Sequence, residues 1–105
     1  KYGVVEGIRL RLGTGASGLV LRRFSATKND NPVDLSHFNE HGTVSLDATR
    51  NPNIASISTP VFDARGAFLG ALTISGLNSK FKGRARAEAI PLLEAAARDL
   101  GRRDA

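Results

Sequence analysis

The chain has 105 residues, the length of one domain with a single modest core that buries roughly two-thirds of the unfolded surface. Its 41% hydrophobic residues include no run near the ~20 apolar residues that span a bilayer and the sequence shows no signal peptide, so we expect a soluble protein. Fifteen Lys and Arg against ten Asp and Glu give a net charge of +5, but the basic residues are scattered and no helix-turn-helix pattern is visible, which disfavours direct nucleic-acid binding.

Two further features of composition concern the setting of the protein. The chain has no cysteine, which fits a reducing compartment, and we expect a cytoplasmic protein. The first residue is Lys1 and not an initiator methionine, so we expect the chain to be part of a longer protein.

The first predicted element is a half-buried strand over residues 4–12, where apolar residues at 8, 10 and 12 alternate with arginines. Residues 13–18 then read G-x-G-x-x-G before a predicted helix over 19–24. The two arginines disfavour a dinucleotide-binding strand, which is buried on both faces, and Leu19 stands where a phosphate-binding loop needs lysine. We expect Thr14 or Ser17 to cap this helix. The free N–H groups of its first turn suit a carboxylate or phosphate.

A polar stretch over residues 25–32 predicts a surface loop, and Asp34 can cap a short helix that Gly42 closes in a left-handed conformation. Within that helix His37, Glu40 and His41 match the H-x-x-E-H pattern of inverted zinc peptidases. A zinc-dependent hydrolase is therefore one alternative. It lacks a third protein ligand, and Gly42 ends the helix at once, so surface histidines are favoured.

A strand is predicted over residues 43–47, followed by a loop and then a β-hairpin over residues 54–76. Two apolar, β-branched runs flank a turn over residues 63–66, where Gly66 can adopt positive φ. If Phe62 pairs with Ala67, alternation separates the side chains into two faces. One face carries four hydroxyls, those of Ser56, Ser58, Thr73 and Ser75, together with Phe62, Leu69 and Ala71. The other is apolar and carries Ile57, Val61, Phe68, Leu72 and Ile74.

The last predicted element is a helix over residues 84–101 that Gly101 ends, with a kink or a new start at Pro91. Its apolar stripe should cover the apolar face of the hairpin; the stripe consists of Ile90, Leu93, Ala97 and Leu100. The elements together predict an α/β (α+β) domain with an antiparallel sheet and flanking helices. No nucleophile–base arrangement and no paired carboxylates stand out, so we predict neither an enzyme nor a cofactor.

Several segments resemble one known family. Residues 55–63 (ASISTPVFD), Gly66, residues 70–76 (GALTISG) and residues 91–96 (PLLEAA) are similar to the C-terminal effector-binding domain of IclR-type (isocitrate lyase regulator) transcription factors. So are the run Ala16-Ser17-Gly18 opening a helix and the short helix that ends at Gly42. The segment over residues 25–32 departs from the family because it is shorter than the helical segment usual there.

The resemblance implies a GAF/profilin-like domain over residues 1–105 that binds a small organic acid or aromatic metabolite. It also implies a homodimer or homotetramer, and contact with operator DNA only through a winged-helix domain that is absent from this chain. The ligand-binding residues it implies are Ala16, Ser17, Asp47, Ser56, Thr73 and Ser75. The alternative from another class is a structural oligomerisation module without a ligand.

Overall fold

Two helices and a three-stranded antiparallel sheet make up the described part of the chain, residues 15–25, 34–46, 54–77, 81 and 83–103 of a computed structural model. The elements run in the order α1 (Gly15–Phe24), a 3-10 helix (Leu35–His37), β1 (Val44–Leu46), β2 (Ile54–Phe62), β3 (Phe68–Leu77) and α2 (Arg84–Arg103). The α+β class is confirmed. The predicted strand over 4–12, the cap Thr14, most of the loop over 25–32 and the candidate ligand residue Asp47 lie outside the described residues.

The hairpin of β2 and β3 forms as predicted, and its turn is held by the aspartate side chain. Asp63 Oδ1 accepts hydrogen bonds from the N–H groups of Arg65 and Ala67, both at 2.9 Å. Gly66 has φ +87°, the left-handed conformation expected of it. The turn chemistry alone therefore locates the reversal of the chain.

The predicted pairing of Phe62 with Ala67 is wrong. Phe62 pairs with Phe68, and a bulge between Val61 and Phe62 shifts the register so that Val61 pairs with Gly70. Beyond the bulge the shift from the predicted register is two residues, which leaves each side chain on its predicted face because a strand has a period of two. At the bulge itself the faces change, and the ring of Phe68 packs on the hydroxyl side and not on the apolar side.

The three strands are ordered β1-β2-β3, and the two helices cover opposite faces of the sheet. Helix α1 packs on the hydroxyl face, where Ala16 and Val20 form a buried cluster with Val44. Helix α2 packs on the other face, where Ala55, Ile57, Thr59 and Val61 of β2 are all buried. The core is thus divided into two thin layers by the central strand β2.

Helix α2 covers the apolar face of the hairpin as predicted, but it is rotated from the predicted stripe. Leu93 and Ala97 are buried, whereas Leu100 is 46% exposed. The buried residues of the helix continue from Ala97 to Gly101, four residues later, and do not include Leu100. The helix ends at Arg103, so the prediction that Gly101 ends it is wrong. Gly101 is buried against the backbone of the hairpin, so closely that an added Cβ would overlap the carbonyl oxygen of Phe62.

Helix α2 continues through Pro91 as a single helix, so the predicted new start at that proline does not occur. Although α2 has 20 residues, its charged side chains are numerous, and the described part of the chain has no helix apolar enough to cross a bilayer.

The segment between the 3-10 helix and β1 is a tight turn. Asp34 caps the 3-10 helix through a hydrogen bond that its Oδ1 accepts from Ser36 N (3.0 Å). The predicted helix through residue 40 is too long, since helical structure ends at His37. Gly42 has φ +81°, as predicted, and it also lies against Phe24, whose Cζ would be 2.7 Å from an added Cβ.

Candidate functional site

The hydroxyl face of the hairpin is the central feature of the candidate site. Ser56 and Ser75 are cross-strand partners, with their Oγ atoms 3.1 Å apart. Ser58 and Thr73 form the next pair on the same face, with an Oγ–Oγ1 distance of 2.9 Å. Each hydroxyl has one donor and two acceptor positions, so both pairs keep hydrogen-bonding capacity for a third group.

The two hydroxyl pairs differ in their access to solvent. Ser58 is fully buried, whereas Thr73 and Ser75 are exposed and Ser56 is half-buried. The row therefore runs from the interior of the sheet to its surface. Water therefore competes less well for a hydrogen bond made near Ser58 than for one made near Ser75.

The first turn of α1 lies on the same side of the sheet as these hydroxyls. Ala16 is only 2% exposed and packs in the cluster with Val44, the residue that pairs with Ser58. Ser17 is half-buried in the same helical turn and is not the cap. The N–H groups of a first helical turn have no intrahelical acceptor and favour anions.

Of the sequence-predicted ligand residues, five are therefore on one side of the sheet: Ala16, Ser17, Ser56, Thr73 and Ser75. Asp47 lies outside the described residues, although it follows Leu46, whose pairing partner on β2 is Ser56.

Aromatic rings close the other end of α1. The rings of Phe24, Phe38, Phe62 and Phe68 pack together, with centroids 5.4–6.3 Å apart in the closest pairs. The guanidinium of Arg23 lies over two of these rings, 4.8 Å from the centroid of Phe24 and 4.6 Å from that of Phe38. This end of the α1 side is consequently filled by its own side chains.

A second cluster of polar side chains, which sequence reasoning missed, lies on the α2 side of the sheet around Glu94. Glu94 is only 7% exposed, and its Oε2 accepts hydrogen bonds from Thr43 Oγ1 (2.5 Å) and Asn39 Nδ2 (2.9 Å). Thr43 Oγ1 also lies 2.8 Å from Thr59 Oγ1. The available signal was an acidic residue placed directly beside Leu93 in the apolar stripe of the helix.

The carboxyl of Glu94 is held in its charged form. Burial would raise its pKa, but the hydrogen bonds from Thr43 and Asn39, helped by the nearby charges of His41 and Arg98, leave the pKa below the ordinary value. A carboxylate stabilised in this way is a poor general acid.

Glu94 lies at the wall of an open cleft of about 180 Å³. The cleft is lined by His41, Thr59, Pro60, Phe62, Glu94, Ala97 and Arg98. Since the one carboxylate in its lining already accepts hydrogen bonds from Thr43 and Asn39, the cleft offers no free carboxylate to act as a general base.

The zinc alternative finds no support in the described residues. His37 lies in the 3-10 helix beside Asp34 (3.8 Å), while His41 lies beyond it and contacts Glu40 (3.7 Å). The two histidines therefore do not share a helix face. Within the described ranges no three His, Cys, Asp or Glu side chains are grouped to hold a metal ion.

Comparison with known proteins identifies the family of this α+β domain. Residues 26–102 match the family described as "Bacterial transcriptional regulator IclR C-terminal", which is more than half of the chain. The chain therefore belongs to the IclR C-terminal family, as the sequence motifs predicted. A search of curated proteins found no match.

Three solved structures have similar folds. A protein from Rhodococcus sp. described as an IclR-family transcriptional regulator has a TM-score of 0.73 and 22% identity, covering 94% of this chain and 46% of its own. An ICLR regulator from Silicibacter sp. TM1040 has a TM-score of 0.65 and 20% identity, with coverages of 84% and 43%. HmgR of Pseudomonas aeruginosa has a TM-score of 0.65 and 25% identity, with coverages of 86% and 43%. The chain spans less than half the length of each of these proteins.

Proposed function

We propose that the chain is the effector-sensing domain of an IclR-type transcriptional regulator and binds a small organic acid or aromatic metabolite. The observation that carries the proposal is the row of paired hydroxyls on the side of the sheet where the first turn of α1 packs. The ligand residues we propose are the backbone of Ala16 and Ser17, the hydroxyls of Ser56, Thr73 and Ser75, and Asp47.

The energetics are adequate for a metabolite sensor. A hydrogen bond to a charged group contributes about 1.5–3 kcal/mol, so three or four such bonds give roughly 5–12 kcal/mol. That range includes the roughly 8 kcal/mol of micromolar binding, and the strongest bonds in it leave some free energy for the entropic cost of association. Hydroxyl and amide donors hold the carboxylate of the ligand in this proposal. In this proposal the domain binds its ligand unchanged and is not an enzyme.

Regulation follows from linkage between the ligand and the arrangement of domains. The effector shifts the population of arrangements in a homodimer or homotetramer, and this changes the operator affinity of a winged-helix domain elsewhere in the protein. The protein would act in the cytoplasm, where its DNA is. The IclR description of the solved relatives supports the regulatory part of this proposal.

The test is thermal unfolding of the chain in a panel of small aliphatic and aromatic carboxylates. A ligand present at 100 times its Kd should stabilise the fold by about 2.7 kcal/mol, equivalent to roughly 10–20 °C for a domain of this size. The stabilisation should be lost in Ser75→Val. It should persist in Ser45→Val, since Ser45 is an exposed strand serine that is not on the hydroxyl face.

Two results would count against the proposal. If no carboxylate shifts the melting temperature, the structural oligomerisation module becomes the better explanation. If the shift is equal in Ser75→Val and Ser45→Val, a ligand binds elsewhere and the hydroxyl row is not its site.

A further inference from the structure

The cleft beside Glu94 lies where β2 extends beyond its pairing with β1. Ser58 is the last residue of β2 that pairs with β1, and the residues of β2 that line the cleft all follow it, starting with Thr59. Helix α2 contributes Glu94, Ala97 and Arg98, whose spacings of three and four residues place them on one face of the helix. The cleft shares no residue with the hydroxyl row, so a ligand here would occupy a different site.

The lining of the cleft carries charges of both signs. Burial raises the pKa of Glu94, but the hydrogen bonds that it accepts and the nearby charges of His41 and Arg98 outweigh burial and lower the pKa. The carboxylate therefore stays charged. Arg98 is an exposed cation on the same helix, and exposed His41 adds a second positive charge when it is protonated.

Both charges on α2 have bonding positions left for a ligand. The two hydrogen bonds on Glu94 end at Oε2, whereas Oε1 has no partner among the described residues and is not one of their fully enclosed atoms. Within the described part of the chain no ion pair engages the guanidinium of Arg98, although Arg102 and Arg103 on the same helix pair with Asp99 at 3.0 and 3.1 Å. The cleft thus offers a charged acceptor and a charged donor on neighbouring positions of one helix face.

We propose that this cleft binds a small α-amino acid in its zwitterionic form. The ammonium group donates to Oε1 of Glu94, and the carboxylate accepts paired hydrogen bonds from the guanidinium of Arg98. A ligand with only a carboxylate would be repelled by Glu94, and a ligand with only an ammonium group would be repelled by Arg98 and His41. A molecule that carries both charges on adjacent atoms pairs with each.

The size and the uncharged lining of the cleft indicate a short side chain. A cavity of about 150 Å³ is large enough for benzene, so the cleft of about 180 Å³ has room for about six to eight non-hydrogen atoms. Alanine, serine, threonine and valine are amino acids of this size. The remaining lining residues include Pro60 and Ala97, which carry neither a charge nor a side-chain hydrogen-bonding group and suit a small aliphatic side chain.

Isothermal titration calorimetry of the chain with these four amino acids tests the proposal, and it does not depend on the proposed effector binding. We expect saturable binding of at least one of them. Its N-acetyl form lacks the ammonium group and its amide form lacks the carboxylate, so each should bind at least about 10-fold more weakly. Absence of binding by all four amino acids overturns the site, and equal binding of either derivative overturns the zwitterionic ligand.

Substitutions of two arginines on α2 locate the binding. Arg98→Gln should raise the dissociation constant by at least about 10-fold, and Arg98→Lys, which keeps the charge but loses the paired donors, should have a smaller effect. The matched control is Arg102→Gln, one turn later on the same helix, where Arg102 pairs with Asp99. Because Arg98 is exposed, the melting temperature of Arg98→Gln should equal that of the native chain.

Two results with these variants overturn the proposal. Equal losses of affinity in Arg98→Gln and Arg102→Gln would show that only the general positive charge of the helix matters. An affinity that falls in Ser75→Val and not in Arg98→Gln would show that the amino acid occupies the hydroxyl row.

Discussion

Removal of the Glu94 carboxylate tests whether the hydrogen bonds on the α2 side stabilise the fold. Glu94 accepts two hydrogen bonds as a charged, nearly buried group, and bonds of this kind contribute about 1.5–3 kcal/mol each. In Glu94→Ala the hydroxyl of Thr43 keeps Thr59 as a partner, whereas Asn39 loses its acceptor. We therefore expect a loss of about 2–4 kcal/mol from the free energy of unfolding, out of a total of about 5–15 kcal/mol.

Urea denaturation followed by far-UV circular dichroism measures this loss. Glu88→Ala is the control, since Glu88 lies on the same helix in an exposed ion pair and should cost no more than about 0.5 kcal/mol. Equal losses of unfolding free energy in Glu94→Ala and Glu88→Ala would refute the reasoning. The buried, hydrogen-bonded carboxylate of Glu94 would then stabilise the fold no more than the exposed carboxylate of Glu88.

The same carboxylate predicts a pH dependence. Its pKa is lower in the folded protein than the ordinary value of 4.5, so its contribution is fully present above pH 4.5 and is lost as pH falls through the folded pKa. The stability difference between the native chain and Glu94→Gln should therefore shrink as the pH falls below the ordinary value of 4.5. A difference that stays constant over that range would contradict the lowered pKa.

Three other substitutions follow from close approaches and the hairpin turn. Gly101→Ala should destabilise by more than about 2 kcal/mol in chemical denaturation, because the added methyl overlaps the rigid backbone oxygen of Phe62. Gly42→Ala should lower the melting temperature by several degrees, because it combines backbone strain at φ +81° with a clash against Phe24. Gly66→Ala is the control, since Gly66 also has positive φ but open space around it. The difference between the two losses measures the clash alone. Asp63→Ala should cost about 1 kcal/mol in the same assay by removing the acceptor of two turn amides, and no loss would show that the turn forms without it.

The hairpin was predictable because its information is local. The turn over 63–66 and the alternation of its flanking runs located both strands. Beyond the bulge the predicted register was wrong by two residues, but a shift by an even number leaves each side chain on the same face of the sheet. The bulge at Val61 and Phe62 was not predictable, since it depends on how Phe62 and Phe68 pack against Phe24. Such packing involves residues far apart in the chain.

The rotation of α2 shows the same limit. Sequence periodicity favoured Leu100 as a core residue. Because Gly101 approaches the hairpin closely, Gly101 faces the sheet in its place and Leu100 is exposed. That rotation also buries Glu94, which periodicity alone assigns to the edge of the stripe. The hydroxyl row, in contrast, was predicted in full, because it follows from strand alternation alone.

The central strand β2 is polar on both of its surfaces at one point. Ser58 bonds to Thr73 under α1, while the adjacent Thr59 bonds to Thr43 beneath α2. A slip of one residue along the sheet would exchange these two side chains and disrupt both groups together. The two hydroxyl groups, one on each side of β2, therefore act together to hold the strand in its register.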